Sequence, residues 1–133
     1  MKVSFDFDGT LQQEEVQEYA KELISRGIDV WVVTTRYDEN HEHLCSSDLD
    51  TSDLWEVVDK LGIPKHKVRF TCMQWKWEYL KNTKFVWHLD DNHEESRYSR
   101  QNNCKVPMVM TYLKDWRQKC EDLLNGEIKN MPH

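Results

Sequence analysis

The segment from Ile28 to Thr34 constrains the fold more than any other part of the chain, because it is apolar nearly throughout, rich in β-branched residues and free of the alternation of a half-wet strand. A strand of that kind is covered on both faces, as in parallel sheets packed between helices. Parallel strands need a crossover, normally a helix, and the preceding segment supplies one. Val16, Tyr19, Ala20, Leu23 and Ile24 recur at helical spacing, Glu14 and Glu15 fall in the first turn where the helix dipole favours acid, and Gly27 stands where a C-terminal cap belongs. Ahead of this helix, Val3 to Phe7 alternates as a strand and stops at an Asp-Gly-Thr turn.

The same rhythm continues. Arg36 to Ser52 is polar and aperiodic, a long loop with a short helical turn expected around His41 to Leu44. Asp53 and Glu56 then resemble a capping box, and Leu54, Val57, Val58 and Leu61 form one apolar helix face that stops at Gly62-Ile63-Pro64. A strand over Val68 to Thr71, a short helix over Trp75 to Leu80, a strand over Phe85 to Leu89 and a polar helix over His93 to Gln101 follow. Val106 to Thr111 reads as one more strand, Leu113, Trp116, Cys120, Leu123 and Leu124 as a last amphipathic helix, and residues from Asn125 as a polar tail. Strands alternating with helices predict an α/β, Rossmann-like three-layer sandwich with a central, mainly parallel five-stranded sheet and right-handed crossovers. At 133 residues this is one domain, expected over 1–124 with a tail over 125–133.

Composition narrows the function classes. Aromatic residues at 11%, six tryptophans among them, argue against disorder. No apolar run approaches the ~20 residues of a membrane span, and the start lacks the apolar core of a secretory signal, so a cytoplasmic protein is expected. Cys45, Cys72, Cys104 and Cys120 are widely spaced, which suits reduced thiols better than a disulfide framework or zinc ribbon. The formal charge of -6 gives no strong nucleic-acid signal, yet it is unevenly spread: residues 1–59 hold 4 basic and 15 acidic side chains, residues 60–105 hold 10 and 5. An anionic substrate would meet favourable potential from the middle segment.

In a sheet of this type ligands bind beyond the carboxyl ends of the strands. The first strand ends in Asp6-Phe7-Asp8-Gly9-Thr10, the second in Thr34-Thr35-Arg36 and the fourth in Asp90-Asp91, while Lys76 lies at the short helix after the third. Carboxylates, hydroxyls and an ammonium thus converge on one edge, a set suited to a divalent cation together with a phosphoryl group, since Mg2+ prefers a few hard oxygen ligands plus phosphate oxygens.

These residues, in this order, resemble the four motifs of the haloacid dehalogenase (HAD) superfamily in its phosphatase branch, over most of the chain. The resemblance implies a Mg2+-dependent phosphomonoester hydrolase, with Asp6 as the nucleophile that forms an aspartyl-phosphate and Asp8 as the acid and base that serves the leaving oxygen and then the hydrolytic water. Thr34 would bind a phosphate oxygen, and Lys76 would neutralise both the phosphoryl group and Asp6. Gly9, Thr10, Thr35 and Arg36 complete the candidate phosphate contacts, Gly9 through a tight turn whose exposed N–H groups form a nest. The Asp6 side chain, the Asp8 carbonyl and Asp91 would hold Mg2+, with Asp90 orienting Lys76 or a metal-bound water. A dehalogenase fits less well, because halide displacement needs neither a second acid at Asp8 nor a metal.

Several residues carry two readings. His41, His43 and Cys45 lack the spacing of a zinc site and read as a polar loop. Trp75 and Trp77 flank Lys76 and would stack on a ring or, more simply, join the core. His88 and His93 bracket the aspartate pair, where exposed histidines are common without a role. Arg36 reads as a solvated loop charge or a substrate contact. Family members usually carry a cap domain after the first motif or before the lysine, and neither connection has room for one. The expectation is a capless enzyme for a phosphorylated substrate, macromolecular or a nucleotide, with the Arg36 to Ser52 loop or an oligomer partner as cover. The alternatives are a nucleotide or nucleic-acid end phosphatase and a catalytically silent binding module on the same fold.

Overall fold

A computed structural model describes residues 1–38 and 50–129 of the chain. β1 (Lys2–Phe5), β2 (Asp29–Thr34), β3 (Val68–Phe70), β4 (His88–Asp90) and β5 (Met108–Met110) build one sheet in the order β3-β2-β1-β4-β5. Every pairing is parallel, with Lys2 opposite Asp29, Ser4 opposite His88, Thr34 opposite Phe70 and Asp90 opposite Met110. The expectation of a mainly parallel sheet is met by an all-parallel one.

The connecting helices are α1 (Glu14–Ser25), α2 (Ser52–Leu61), α3 (Lys76–Leu80), α4 (His93–Gln101) and α5 (Trp116–Lys129). Strand alternation divides the core between the two faces of the sheet. Val3, Phe5, Val30, Val32 and Leu89 pack with Tyr19, Leu23, Leu54, Val58, Cys120 and Leu124, so α1, α2 and α5 cover one face. Val33 packs with Leu80, Phe85 and Val106, with Trp31 and Tyr79 beside them, under α3 and α4 on the other. Trp87 is fully buried, with Phe5 edge-on at 5.3 Å and Tyr19 stacked at 6.2 Å. Each such aliphatic or aromatic side chain contributes roughly 1.5–3 kcal/mol of burial.

Glycine ends α1 and α2 as the sequence suggests. Gly27 and Gly62 adopt φ of +82° and +75°, and in each case the next residue's N–H reaches back to the last turn, Ile28 to the Leu23 carbonyl and Ile63 to the Val58 carbonyl, both at 3.0 Å. That is the Schellman arrangement.

Five local expectations change, the first being the strand expected over Phe85 to Leu89, which spans His88–Asp90. The helix expected around a capping box at Asp53 starts instead at Ser52, whose N–H donates to the Asp50 carboxylate at 3.0 Å; Asp53 turns its side chain to Arg36. Trp75 stays extended and α3 begins at Lys76. The last strand begins at Met108 rather than Val106, because Pro107 has no N–H for the ladder and contributes only its carbonyl, to His88. The last helix starts at Trp116 and runs past Asn125 to Lys129, since extending a nucleated helix costs little per residue even through weak formers. The turn expected at His41 to Leu44, the reading of His41, His43 and Cys45, and the end of the tail beyond Lys129 lie outside the described residues. No described helix is long and apolar enough to cross a membrane.

Candidate active site

The strand order reverses between β1 and β4: from β1 the chain crosses to β2 on one side and later to β4 on the other. Crevices open at such switch points. Asp6 leaves β1 still extended and its N–H continues the ladder to the Leu89 carbonyl at 2.9 Å. Period-2 geometry then puts Ser4, Asp6, His88 and Asp90 on the face opposite Phe5 and Leu89, which is the face that α3 covers.

Lys76 comes down from the first turn of α3 and places its Nζ 2.7 Å from Asp6 Oδ1 and 2.7 Å from Asp90 Oδ2. It is 4% exposed, Asp6 3% and Asp90 not at all. Glu95, a buried residue of α4, holds this lysine in place from outside: its two oxygens accept the N–H groups of Lys76 and Trp77 at 2.9 and 3.0 Å. A carboxylate thus meets the donor end of α3. Behind Asp90 stands His88, fully buried rather than exposed, with Nε2 2.7 Å from Asp90 Oδ2 and Nδ1 2.8 Å from the Ser4 hydroxyl. An ionised carboxylate has no proton to give, so Nε2 is the donor to Asp90. His93 is 68% exposed and contacts Glu94 alone among the described residues.

The electrostatics separate the two aspartates. Burial pushes the Asp6 carboxyl well above the usual range, the charges of Asp90 and Asp91 add to this, and Lys76 only partly opposes it. Burial works against the charge on Asp90 too, but the His88 hydrogen bond and the Lys76 ammonium hold its carboxyl below the usual range. Lys76 also loses solvent by burial, and its two carboxylates more than restore its positive charge.

Asp90 is saturated with donors, because its second oxygen accepts the Asn92 N–H at 3.0 Å. Asp91 is exposed and accepts no hydrogen bond from a described residue. One oxygen each of Asp6, Asp90 and Asp91 lies within 4.8 Å of the others. Asp91 packs directly over Gly9: a Cβ at position 9 would lie 2.2 Å from Asp91 Oδ2, and φ there is +77°. The residues present fit a hard divalent cation, with two buried carboxylates bridged by one ammonium and a third carboxylate beside them that accepts no hydrogen bond from a described residue. The Asp8 carboxylate does not belong to this group.

The remaining predicted residues divide. Thr34 and Thr10 are fully buried. Thr10 gives its hydroxyl proton to Asp6 Oδ2 at 3.0 Å, so it orients the nucleophile candidate. The Thr34 hydroxyl accepts the Arg36 N–H at 3.3 Å. Thr35 is half-buried and its carbonyl accepts the Met73 N–H at 2.7 Å. Arg36 is no loose loop charge. It donates to both oxygens of Asp8 at 2.9 and 2.6 Å and to both of Asp53 at 2.7 and 2.9 Å, and its guanidinium stacks 4.9 Å from the Phe7 ring. Both carboxylates favour its charged form, and the same contact holds Asp53 below the usual range.

Sequence reasoning missed Glu95, Asp53 and Ser4. Asp53 reads as half of a capping box and Glu95 as one residue of a polar helix, and which acid of such a helix turns inward is decided by what packs beside it. Strand parity carries a signal for Ser4 and His88, since both share a face with Asp6 and Asp90. Comparison with protein-family models, with curated proteins and with solved structures finds no match.

Proposed function

We propose that this protein is a Mg2+-dependent phosphomonoester hydrolase of the HAD type, acting through an aspartyl-phosphate on Asp6. The observation that carries the reading is the buried Asp6–Lys76–Asp90 arrangement at the switch point, with Asp91 beside it and accepting no hydrogen bond from a described residue. Three carboxylates with an oxygen each within 4.8 Å of the others, set against one lysine, are an arrangement that a divalent cation would complete.

Asp6 and Asp91 would hold the cation, with the Asp8 carbonyl completing the protein's share and Asp90 at the edge of the group. Bound there, Mg2+ supplies positive charge opposite the transferring phosphoryl group. The protein's own residues do the rest. Asp6, oriented by Thr10, presents an oxygen for in-line attack on phosphorus. Lys76, which bridges Asp6 and Asp90, offsets charge on the phosphoryl oxygens, and the Thr34 hydroxyl donates to one of them. Asp8 gives a proton to the departing oxygen and takes one from the water that opens the acyl phosphate. For this Asp8 must leave Arg36, which engages both of its oxygens. Phosphoryl oxygens arriving beside Thr34 compete for that guanidinium, a forked donor suited to them.

Incubation with para-nitrophenyl phosphate and Mg2+ tests the reading: turnover that disappears with EDTA and in Asp6→Asn supports it. Failure of the purified protein to cleave any member of a broad phosphomonoester panel with Mg2+ overturns it. The grip of Arg36 on Asp8 favours a second reading, a metal-binding module without turnover. Retention of acid-stable phosphoryl label on Asp6 in the wild type decides against that module.

A further inference from the structure

The loop that joins β3 to α3 is strained and exposed where a mere connector would be neither. Cys72 and Met73 both have positive φ, 53° and 66°. A non-glycine residue pays for that conformation, and two in succession persist only when their surroundings impose it. Here the imposition is visible: the N–H groups of Thr71, Cys72 and Met73 donate to the carbonyls of Thr34, Arg36 and Thr35 at 2.8, 3.2 and 2.7 Å. The loop is tied to the segment that carries the candidate phosphate contacts.

What the strain achieves is presentation. Met73 is 66% exposed and Trp75 40%, two of the few large apolar side chains the described residues leave in water. Trp75 immediately precedes Lys76, whose ammonium sits on Asp6. Its ring packs against Tyr98, centroids 4.9 Å apart at 57°, and Arg97 lies 5.0 Å from the Tyr98 ring. Trp77 is the tryptophan that packs inward, half-buried with its backbone N–H on Glu95. One tryptophan beside the lysine serves the fold, and the other faces solvent from the loop beyond the carboxyl end of β3.

We infer that Trp75, with Tyr98 and Met73, forms a stacking subsite for the base of a nucleoside phosphate whose phosphoryl group lies at Asp6. Bases offer π-faces to aromatic side chains regardless of sequence. A sugar or glycerol phosphate would leave the exposed ring of Trp75 unused. The inference rests on the phosphatase reading for the position of the phosphoryl group, and the test separates the two.

Steady-state kinetics compares AMP with glycerol 1-phosphate in the wild type, Trp75→Ala, Trp75→Phe and Tyr98→Ala. Adenosine, which has no phosphate, is titrated into the wild type and Trp75→Ala by calorimetry. The expected result is a loss of roughly tenfold in kcat/KM for AMP in Trp75→Ala, carried by KM. Glycerol phosphate stays within about twofold and Trp75→Phe recovers most of the loss. Adenosine is expected to bind the wild type and not Trp75→Ala. A 3′-phosphorylated oligonucleotide beside AMP shows whether the base belongs to a free nucleotide or a strand end, and selective loss with either supports the inference. Equal losses on AMP and glycerol phosphate, or no loss on AMP, overturn it, the first by showing that Trp75 only packs α3 against α4. Cleavage of glycerol phosphate with no base preference removes this inference and leaves the phosphatase; adenosine binding without any turnover removes the phosphatase and leaves the subsite.

Discussion

Asp6 and Asp90 are chemically identical and flank one lysine, yet their surroundings drive them apart, and this makes opposite predictions for their amides. The Asp6 carboxyl is raised, so the folded chain keeps a proton that the unfolded chain releases above about pH 4. Its contribution to stability is therefore complete below that pH and is lost as pH rises through the folded value. Asp6→Asn is expected to raise the thermal midpoint of the metal-free protein at pH 7 while cutting turnover by on the order of a thousandfold or more. Asp90 is lowered, so its contribution is present above about pH 4 and lost as pH falls through the folded value. Asp90→Asn is expected to lower the midpoint at pH 7, because Lys76 loses its anion and one amide oxygen cannot serve Lys76, His88 and the Asn92 N–H as two carboxylate oxygens do. Thermal scans of the two variants in EDTA check the pair, and a lowered midpoint for both contradicts the assignment. Gly9 gives a third residue-scale expectation. Alanine there meets both a left-handed φ, costing about 1–2 kcal/mol, and the Asp91 carboxylate at 2.2 Å. Gly9→Ala is expected to weaken Mg2+ binding, read by calorimetry, more than it lowers stability.

At the scale of elements, α3 is too short to hold its own direction: it is five residues long and its N-cap side chain makes no capping bond. Its orientation, and with it the reach of Lys76, comes from Glu95 on α4. Glu95→Ala is expected to cost about 1–2 kcal/mol, the value of a lost cap, and to lower kcat more than it raises KM, because Lys76 moves relative to Asp6. Glu95→Gln keeps an acceptor oxygen and is expected to recover part of both. Urea melts and steady-state kinetics on the two variants measure this; a Glu95→Ala enzyme with full kcat shows that α3 needs no such support. The helices themselves were legible in the sequence, since periodicity, first-turn acids and terminal glycines are local. The cap from Glu95 was not: Glu94 and Glu95 are adjacent acids in one polar turn, and only the docking of α3 decides which one is buried.

At the scale of the whole molecule, the sheet order sets Asp6 and Asp90 at neighbouring strand ends though 84 positions separate them in the chain. A ligand that binds only the folded arrangement stabilises all of it, by about 2.7 kcal/mol at a hundred times its dissociation constant. Saturating Mg2+ is accordingly expected to raise the wild-type midpoint by several degrees and to leave Asp91→Asn nearly unmoved; an equal shift in both places the cation elsewhere. The sequence by itself determined the alternation of strands and helices, the parallel sheet and the identity of the residues at its carboxyl edge. Those follow from side-chain periodicity and the handedness of crossovers, which act within a few residues or one connection. Only the tertiary structure decided that Arg36 clamps Asp8 to Asp53, that His88 lies buried between Ser4 and Asp90, that Thr10 serves Asp6 and that Trp75 rather than Trp77 faces solvent. Those are choices among equally polar or equally apolar neighbours, and burial against distant elements is the force that makes them.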